Sequence, residues 1–147
     1  MYDSILLPTD GSPAAAAARE HAFDLAERYT ATVHVLYVID GAMYASLEAG
    51  SDVVLDSLQK EGERAIETIE EMGDERGVPI RTEIAHGSPH GQILEYVTDH
   101  DIDLIVMGTH GRTGLNRYLL GSVTERVVRS ADVPVLTVRQ DKEQKQE

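Results

Sequence analysis

The segment MGTHGRTGLNRYLLGSVTERVV, Met107 to Val128, follows the apolar run DIDLIVMG (Asp101 to Gly108) and leads into a stretch with helical periodicity. Gly108, Gly111, Gly114 and Gly121 fall within fourteen positions of it. A glycine inside a regular element costs about 0.5–1 kcal/mol against alanine, so a glycine-rich strand-to-helix junction needs a reason. One reason is a strand that ends buried in a parallel sheet, followed by a loop whose backbone approaches an anion and a helix whose N-terminus faces that anion.

The rest of the chain alternates in the same way. SILLPTD (Ser4 to Asp10), ATVHVLYVID (Ala31 to Asp40), PIRTEIA (Pro79 to Ala85), DLIVMG (Asp103 to Gly108) and VPVLTVR (Val133 to Arg139) are short, rich in Val and Ile, and closed by Gly, Pro or Asp, which predicts strands. Helical patterns separate them at Ala14 to Tyr29, Val54 to Arg76, Gly91 to His100 and Val123 to Ser130. Strand and helix in regular alternation predict an α/β fold, an open parallel sheet with helices on both faces. At 147 residues the chain suits a single domain, 1–140, with 141–147 as a polar C-terminal tail. Gly41 to Ser51 is the one long irregular segment, either a flap or a loose loop.

The junctions share a capping chemistry. DGSP (Asp10 to Pro13) and HGSP (His86 to Pro89) each offer Gly for the turn, Ser as N-cap and Pro at the first helical position. In GSVTE, Ser122 with Glu125 three residues later predicts a capping box.

Composition removes several function classes. Thirteen Lys and Arg against 26 Asp and Glu give a net charge of −13, which argues against nucleic acid as a partner. Lysine occurs only at Lys60, Lys142 and Lys145, and a surface so acidic and lysine-poor suits concentrated salt. No apolar run approaches the ~20 residues that span a bilayer, so no membrane partner is expected. The opening MYDSILLPTD does not resemble a signal peptide, and a cytoplasmic location is expected. Without cysteine there is no disulfide, thiolate metal site or cysteine nucleophile. His86 and His90 are separated by a helix start, and no further ligands gather round them, so no protein metal site is expected. His110 lies in the glycine loop, and Tyr37 is expected to pack in the core.

In an open parallel sheet, ligands bind beyond the carboxyl ends of the strands. Those ends hold Pro8, Thr9 and Asp10, then Val38 to Asp40, then Met107, Gly108, Thr109, His110 and Gly111. Amides at Gly108, Gly111 and Gly121, with the helix that starts at Gly121-Ser122, make polyphosphate the natural anion, the alternative being a plain turn with a helix C-cap and N-cap. The segment is neither GxxxxGK[ST], since no lysine precedes Ser122, nor GxGxxG.

Gly108-x-x-Gly111, nine residues, then Gly121-Ser122 resembles the G-x2-G-x9-G-[ST] signature of the ATP-binding universal stress proteins (UspA-like). ILLPTDGS, HVLYVID, HGSP and ADVPVLTVR occur around it in the family's order, so the resemblance covers nearly the whole chain. It implies a Rossmann-like five-stranded sheet of order 3-2-1-4-5 that binds ATP, or another adenine nucleotide, where strands one and four diverge. Pro8, Thr9 and Asp10 would line the adenosine, with Asp10 near ribose or base, Val38 would bond adenine through its backbone, Met107 and Gly108 would lie beneath the nucleoside, and Thr109 would also belong to the ATP site. Gly111, Arg112, Gly121, Ser122 and Val123 would hold the phosphates, with Mg²⁺ carried mainly by phosphate oxygens and water. The resemblance further implies a homodimer through the last strand, with Val133, Val135, Leu136 and Val138 at the paired edge.

The expected function is therefore a regulatory, nucleotide-binding stress protein with at most slow ATPase activity or autophosphorylation, since no catalytic residues are assembled. A dedicated nucleotide-hydrolysing enzyme using the same site and a flavodoxin-like FMN binder are the alternatives.

Overall fold

The computed structural model describes residues 1–40, 51–110 and 120–140. Strands β1 (Ser4–Thr9), β2 (Thr32–Asp40), β3 (Ile80–Gly87), β4 (Leu104–Gly108) and β5 (Val135–Val138) form one sheet of order β3-β2-β1-β4-β5, and every neighbouring pair is parallel. Among the described residues the helices are α1 (Pro13–Tyr29), α2 (Ser51–Arg76), α3 (Pro89–Asp99) and α4 (Ser122–Ser130). This is the doubly wound architecture and strand order that the sequence and the resemblance predict. The irregular segment 41–50 and the tail 141–147 lie outside the described residues.

Both faces of the sheet are covered, and the strand sequences divide between them residue by residue. Ile5 and Leu7, Val33, Val35, Tyr37 and Ile39, and Leu104 and Val106 pack against Ala18, Ala22, Phe23 and Ala26 of α1 and Ile66 and Ile69 of α2. The residues between them, Leu6, Leu36, Ile105 and Met107, pack against Ile93 and Tyr96 of α3 and Val127 of α4. A strand buried on both sides shows no polar alternation, which is why LIVM and ILL read as continuous apolar runs. The alanines of α1 bring that helix close to the sheet, and Arg76 at the end of α2 ties it to α1. Its guanidinium lies 3.2 Å from Glu20 and 2.6 Å from Glu27, and 5.1 Å over the ring of Phe23. The last strand is shorter than Val133 to Arg139, because ladder pairing with β4 spans only Val135 to Val138.

Candidate functional site

Parallel strands deliver their carboxyl ends to one edge of the sheet, and the residues singled out at those ends therefore gather there. Thr9 ends β1 and Gly108 ends β4, while Val38, half-buried, lies two residues before the end of β2. Pro8 and Thr9 are in register with Leu36 and Tyr37, and Met107 and Gly108 with Thr137 and Val138. Gly111 and Arg112 lie outside the described residues.

The turn from β1 to α1 is held by its own side chains. The Thr9 hydroxyl accepts the Gly11 amide at 3.2 Å, Asp10 Oδ1 accepts the Ser12 amide at 2.9 Å, and Ser12 Oγ accepts the Ala15 amide at 3.2 Å. Ser12 is thus the N-cap that the sequence predicts, followed by Pro13 at the first helical position. The Asp10 carboxylate, placed beside the adenosine by the resemblance, spends at least one oxygen on this turn.

The β4-to-α4 junction departs from the expectation. The N-cap of α4 is Gly121, with φ −65° and ψ 156°, and Ser122 is the first helical residue. The capping box does not form, because the Gly121 amide donates to the Thr109 carbonyl at 2.6 Å and fixes the helix start one residue earlier. Thr124 then reaches back, its hydroxyl donating to the Gly108 carbonyl at 2.8 Å with Thr124 only 3% exposed. Glu125 instead pairs with Arg129, at 2.5 Å. Ser122 is left exposed at the helix start, its hydroxyl not committed to the cap.

The two described glycines of the signature also have packing reasons. A Cβ on Gly108 would lie 2.9 Å from the carbonyl carbon and Cβ of Ala14, so the absent side chain lets α1 sit against the end of β4. A Cβ on Gly121 would meet His110 Cα at 3.0 Å and the Thr109 carbonyl oxygen at 3.4 Å. The Gly121 amide, expected to face an anion, is already taken by Thr109.

A cleft of about 320 Å³ opens beside this junction, lined by Asp40, Gly87, Ser88, Pro89, His90, Ser122, Val123 and Arg126. It is fronted by the N-terminal ends of α3 and α4 together, two sources of partial positive charge, with Arg126 adding a full one. Asp40 is the carboxylate in the lining. Ser122 and Val123 are the expected site residues found here; Pro8, Thr9, Asp10, Val38, Met107, Gly108 and Thr109 sit at neighbouring strand ends and do not line it. Of the other lining residues, Asp40 lies at a strand end and Gly87 and Ser88 belong to HGSP, read as a capping turn, while His90 and Arg126 carry no motif that marks them as a site. Ser88 occupies the N-cap position of α3 without making a cap bond; its hydroxyl lies 3.0 Å from His90 Nδ1 instead. No group of three or more metal-ligating side chains occurs among the described residues, and no helix among them is long and apolar enough to cross a membrane.

A sheet whose order reverses between β1 and β4 defines a doubly wound α/β protein, a class of fold whose ligands generally bind at the carboxyl ends of the strands. The chain belongs to the universal stress protein family, whose model matches residues 1–139. It is 42% identical over 146 residues to universal stress protein MJ0531 of Methanocaldococcus jannaschii, covering 98% of this chain and 86% of that one. The solved structure of MJ0577, a universal stress protein of the same organism, superposes with a TM-score of 0.87 at 34% identity over 97% of this chain and 99% of the other. A universal stress family protein of Arabidopsis thaliana, At3g01520, solved with AMP bound, shares the fold at 19% identity and a TM-score of 0.72, over 97% of this chain and 94% of the other.

Proposed function

We propose that this universal stress protein binds ATP or another adenine nucleotide, accompanied by Mg²⁺, at the carboxyl edge of its sheet, and that binding is its regulatory signal. The observation that carries this reading is the start of α4. Its first amides and the Ser122 hydroxyl front a cleft that also holds Arg126, and Thr109, just past the buried end of β4, takes the Gly121 amide beside them. That arrangement suits phosphate, while Pro8 to Asp10 and Val38 offer the neighbouring strand ends to a nucleoside. The AMP carried by the Arabidopsis relative supports an adenine base in this family's fold. Gly111 and Arg112 belong to the proposed phosphate contacts by their place in the signature. The functional unit is one domain, residues 1–140, working in the cytoplasm as a homodimer paired along β5. There Leu136 is 36% exposed on an edge strand while Val138 is buried. Neither nucleic acid nor membrane is a partner in this reading.

The structure makes Ser122→Asp the sharpest test. An acid at the first helical position suits the helix dipole, so the variant folds, yet it sets a carboxylate where phosphate would lie. Nucleotide released from freshly purified, denatured protein is identified by chromatography. Near-stoichiometric adenine nucleotide in the parent, lost from folded Ser122→Asp, supports the reading. A parent that is empty and also ignores added Mg-ATP refutes it.

A second reading, slow turnover at the same place, draws on the Ser88–His90 pair in the cleft wall. A hydroxyl and an imidazole 3.0 Å apart are the elements of an activated nucleophile. Phosphate release that His90→Gln abolishes without weakening nucleotide binding would favour it.

A further inference from the structure

Away from the cleft, β2 buries a histidine that the proposed function does not use. His34 is 4% exposed, on the face of the sheet that α3 covers, and its Nδ1 lies 2.8 Å from the Tyr96 hydroxyl. His100, at the C-cap of α3, stacks on Tyr96 with ring centroids 3.7 Å apart and planes 13° from parallel. His100 Nδ1 lies 3.2 Å from the Tyr96 carbonyl oxygen and so donates to it. The rings of His34 and His100 meet edge-on at 5.9 Å. Within the sheet, His34 is in register with Leu6 of β1 on one side and Arg81 of β3 on the other, and Glu83 of β3 is in register with Leu36 rather than with His34. The groups facing His34 are thus Leu6 from β1, Arg81 with Glu83 beyond it from β3, and Tyr96 and His100 from α3.

We propose that His34, Tyr96 and His100 form a pH-sensitive latch, which seats the C-terminal half of α3 on the sheet while His34 is neutral and releases it as the medium acidifies. The neutral ring accepts the Tyr96 hydroxyl and fits among Leu6, Leu36 and the stacked pair. A protonated ring in the same place is a desolvated charge facing Arg81 and His100, and its Nδ1 must donate to the Tyr96 oxygen instead of accepting, which turns the hydroxyl proton away. Burial first, then the charges of His100 and Arg81, hold the His34 pKa below its ordinary value of 6.5. The unfolded or released ring takes up its proton near 6.5, whereas the seated one does so only at lower pH. The latch is therefore fully set above 6.5 and weakens as the pH falls from there toward the seated value. The other end of α3 forms a wall of the cleft, so the latch governs how firmly that wall is held, whatever the cleft binds.

Amide hydrogen exchange at pH about 7.5 and about 5.5, either side of the ordinary histidine value, tests this on the intact protein. Protection of the α3 amides from Ile93 to Thr98 is taken relative to that of the α1 amides, which cancels general changes in stability. The relative protection falls with acidification, by at most about tenfold, because the lower pH lies about one unit below the ordinary histidine value. In His34→Gln, whose side chain can still bond Tyr96 but does not titrate, it stays level. A parent whose relative protection is unchanged by pH, or a variant that loses it equally, overturns the latch. Should His34→Gln fail to fold, ring NMR of the parent decides. A His34 midpoint below 6.5 with Tyr96 ring signals moving alongside supports the proposal, and a midpoint at or above 6.5 overturns it.

Discussion

Thr124 donates its hydroxyl to the carbonyl of Gly108 at 2.8 Å, a buried bond that fastens the first turn of α4 to the last residue of β4 across sixteen positions of sequence. It fixes where α4 begins and so where its N-terminal amides point. Thr124→Val keeps the shape and leaves that carbonyl without its donor, which is expected to cost about 1–3 kcal/mol. Thr124→Ser retains the hydroxyl and should recover part of the loss. Urea unfolding of the three proteins measures both; equal stability of Val and Thr at this position would show the carbonyl to be satisfied without the hydroxyl.

Gly108 is held to glycine by α1. Gly108→Ala sets a methyl 2.9 Å from both the carbonyl carbon and Cβ of Ala14 and 3.0 Å from its carbonyl oxygen. Two of these three atoms are backbone, so Ala14→Gly relieves only one contact and should rescue poorly. The expected destabilisation is about 1–3 kcal/mol, typical of an overpacked core, and thermal unfolding of the single and double variants reads it. Full rescue by Ala14→Gly would place the strain at the Ala14 methyl instead.

The two serines that occupy the same place in DGSP and HGSP are expected to differ. Ser12 caps α1 through the Ala15 amide and is 6% exposed, whereas Ser88 makes no cap bond. Ser12→Ala should cost about 1 kcal/mol and Ser88→Ala distinctly less, as measured by chemical denaturation. Similar losses at the two sites would mean that Ser88 caps α3 in solution.

These contrasts mark what can be read from sequence alone. The strands were legible because burial on both faces leaves continuous runs such as LIVM, and the α1 start was legible because everything that fixes it lies within Thr9 to Ala15. The capping box at Ser122 was a local signature overruled from a distance. Thr109 takes the Gly121 amide and Gly108 takes the Thr124 hydroxyl, and nothing within GSVTE announces either partner. The same holds for His34 and Tyr96, 62 residues apart, and for the cleft wall. There Asp40, Ser88, His90 and Arg126 come together only because α3 and α4 pack side by side over one face of the sheet.

In the proposed function, adenine nucleotide binds at the carboxyl edge beside the start of α4. The most direct test is a titration of nucleotide-free protein with Mg-ATP, followed by backbone amide NMR. Saturable shifts are expected, concentrated at Thr9 and Asp10, Val38, Met107 to Thr109 and Gly121 to Val123, with those at Ser122 and Val123 lost in Ser122→Asp. Saturable shifts confined to other parts of the molecule, or none at all, would contradict it.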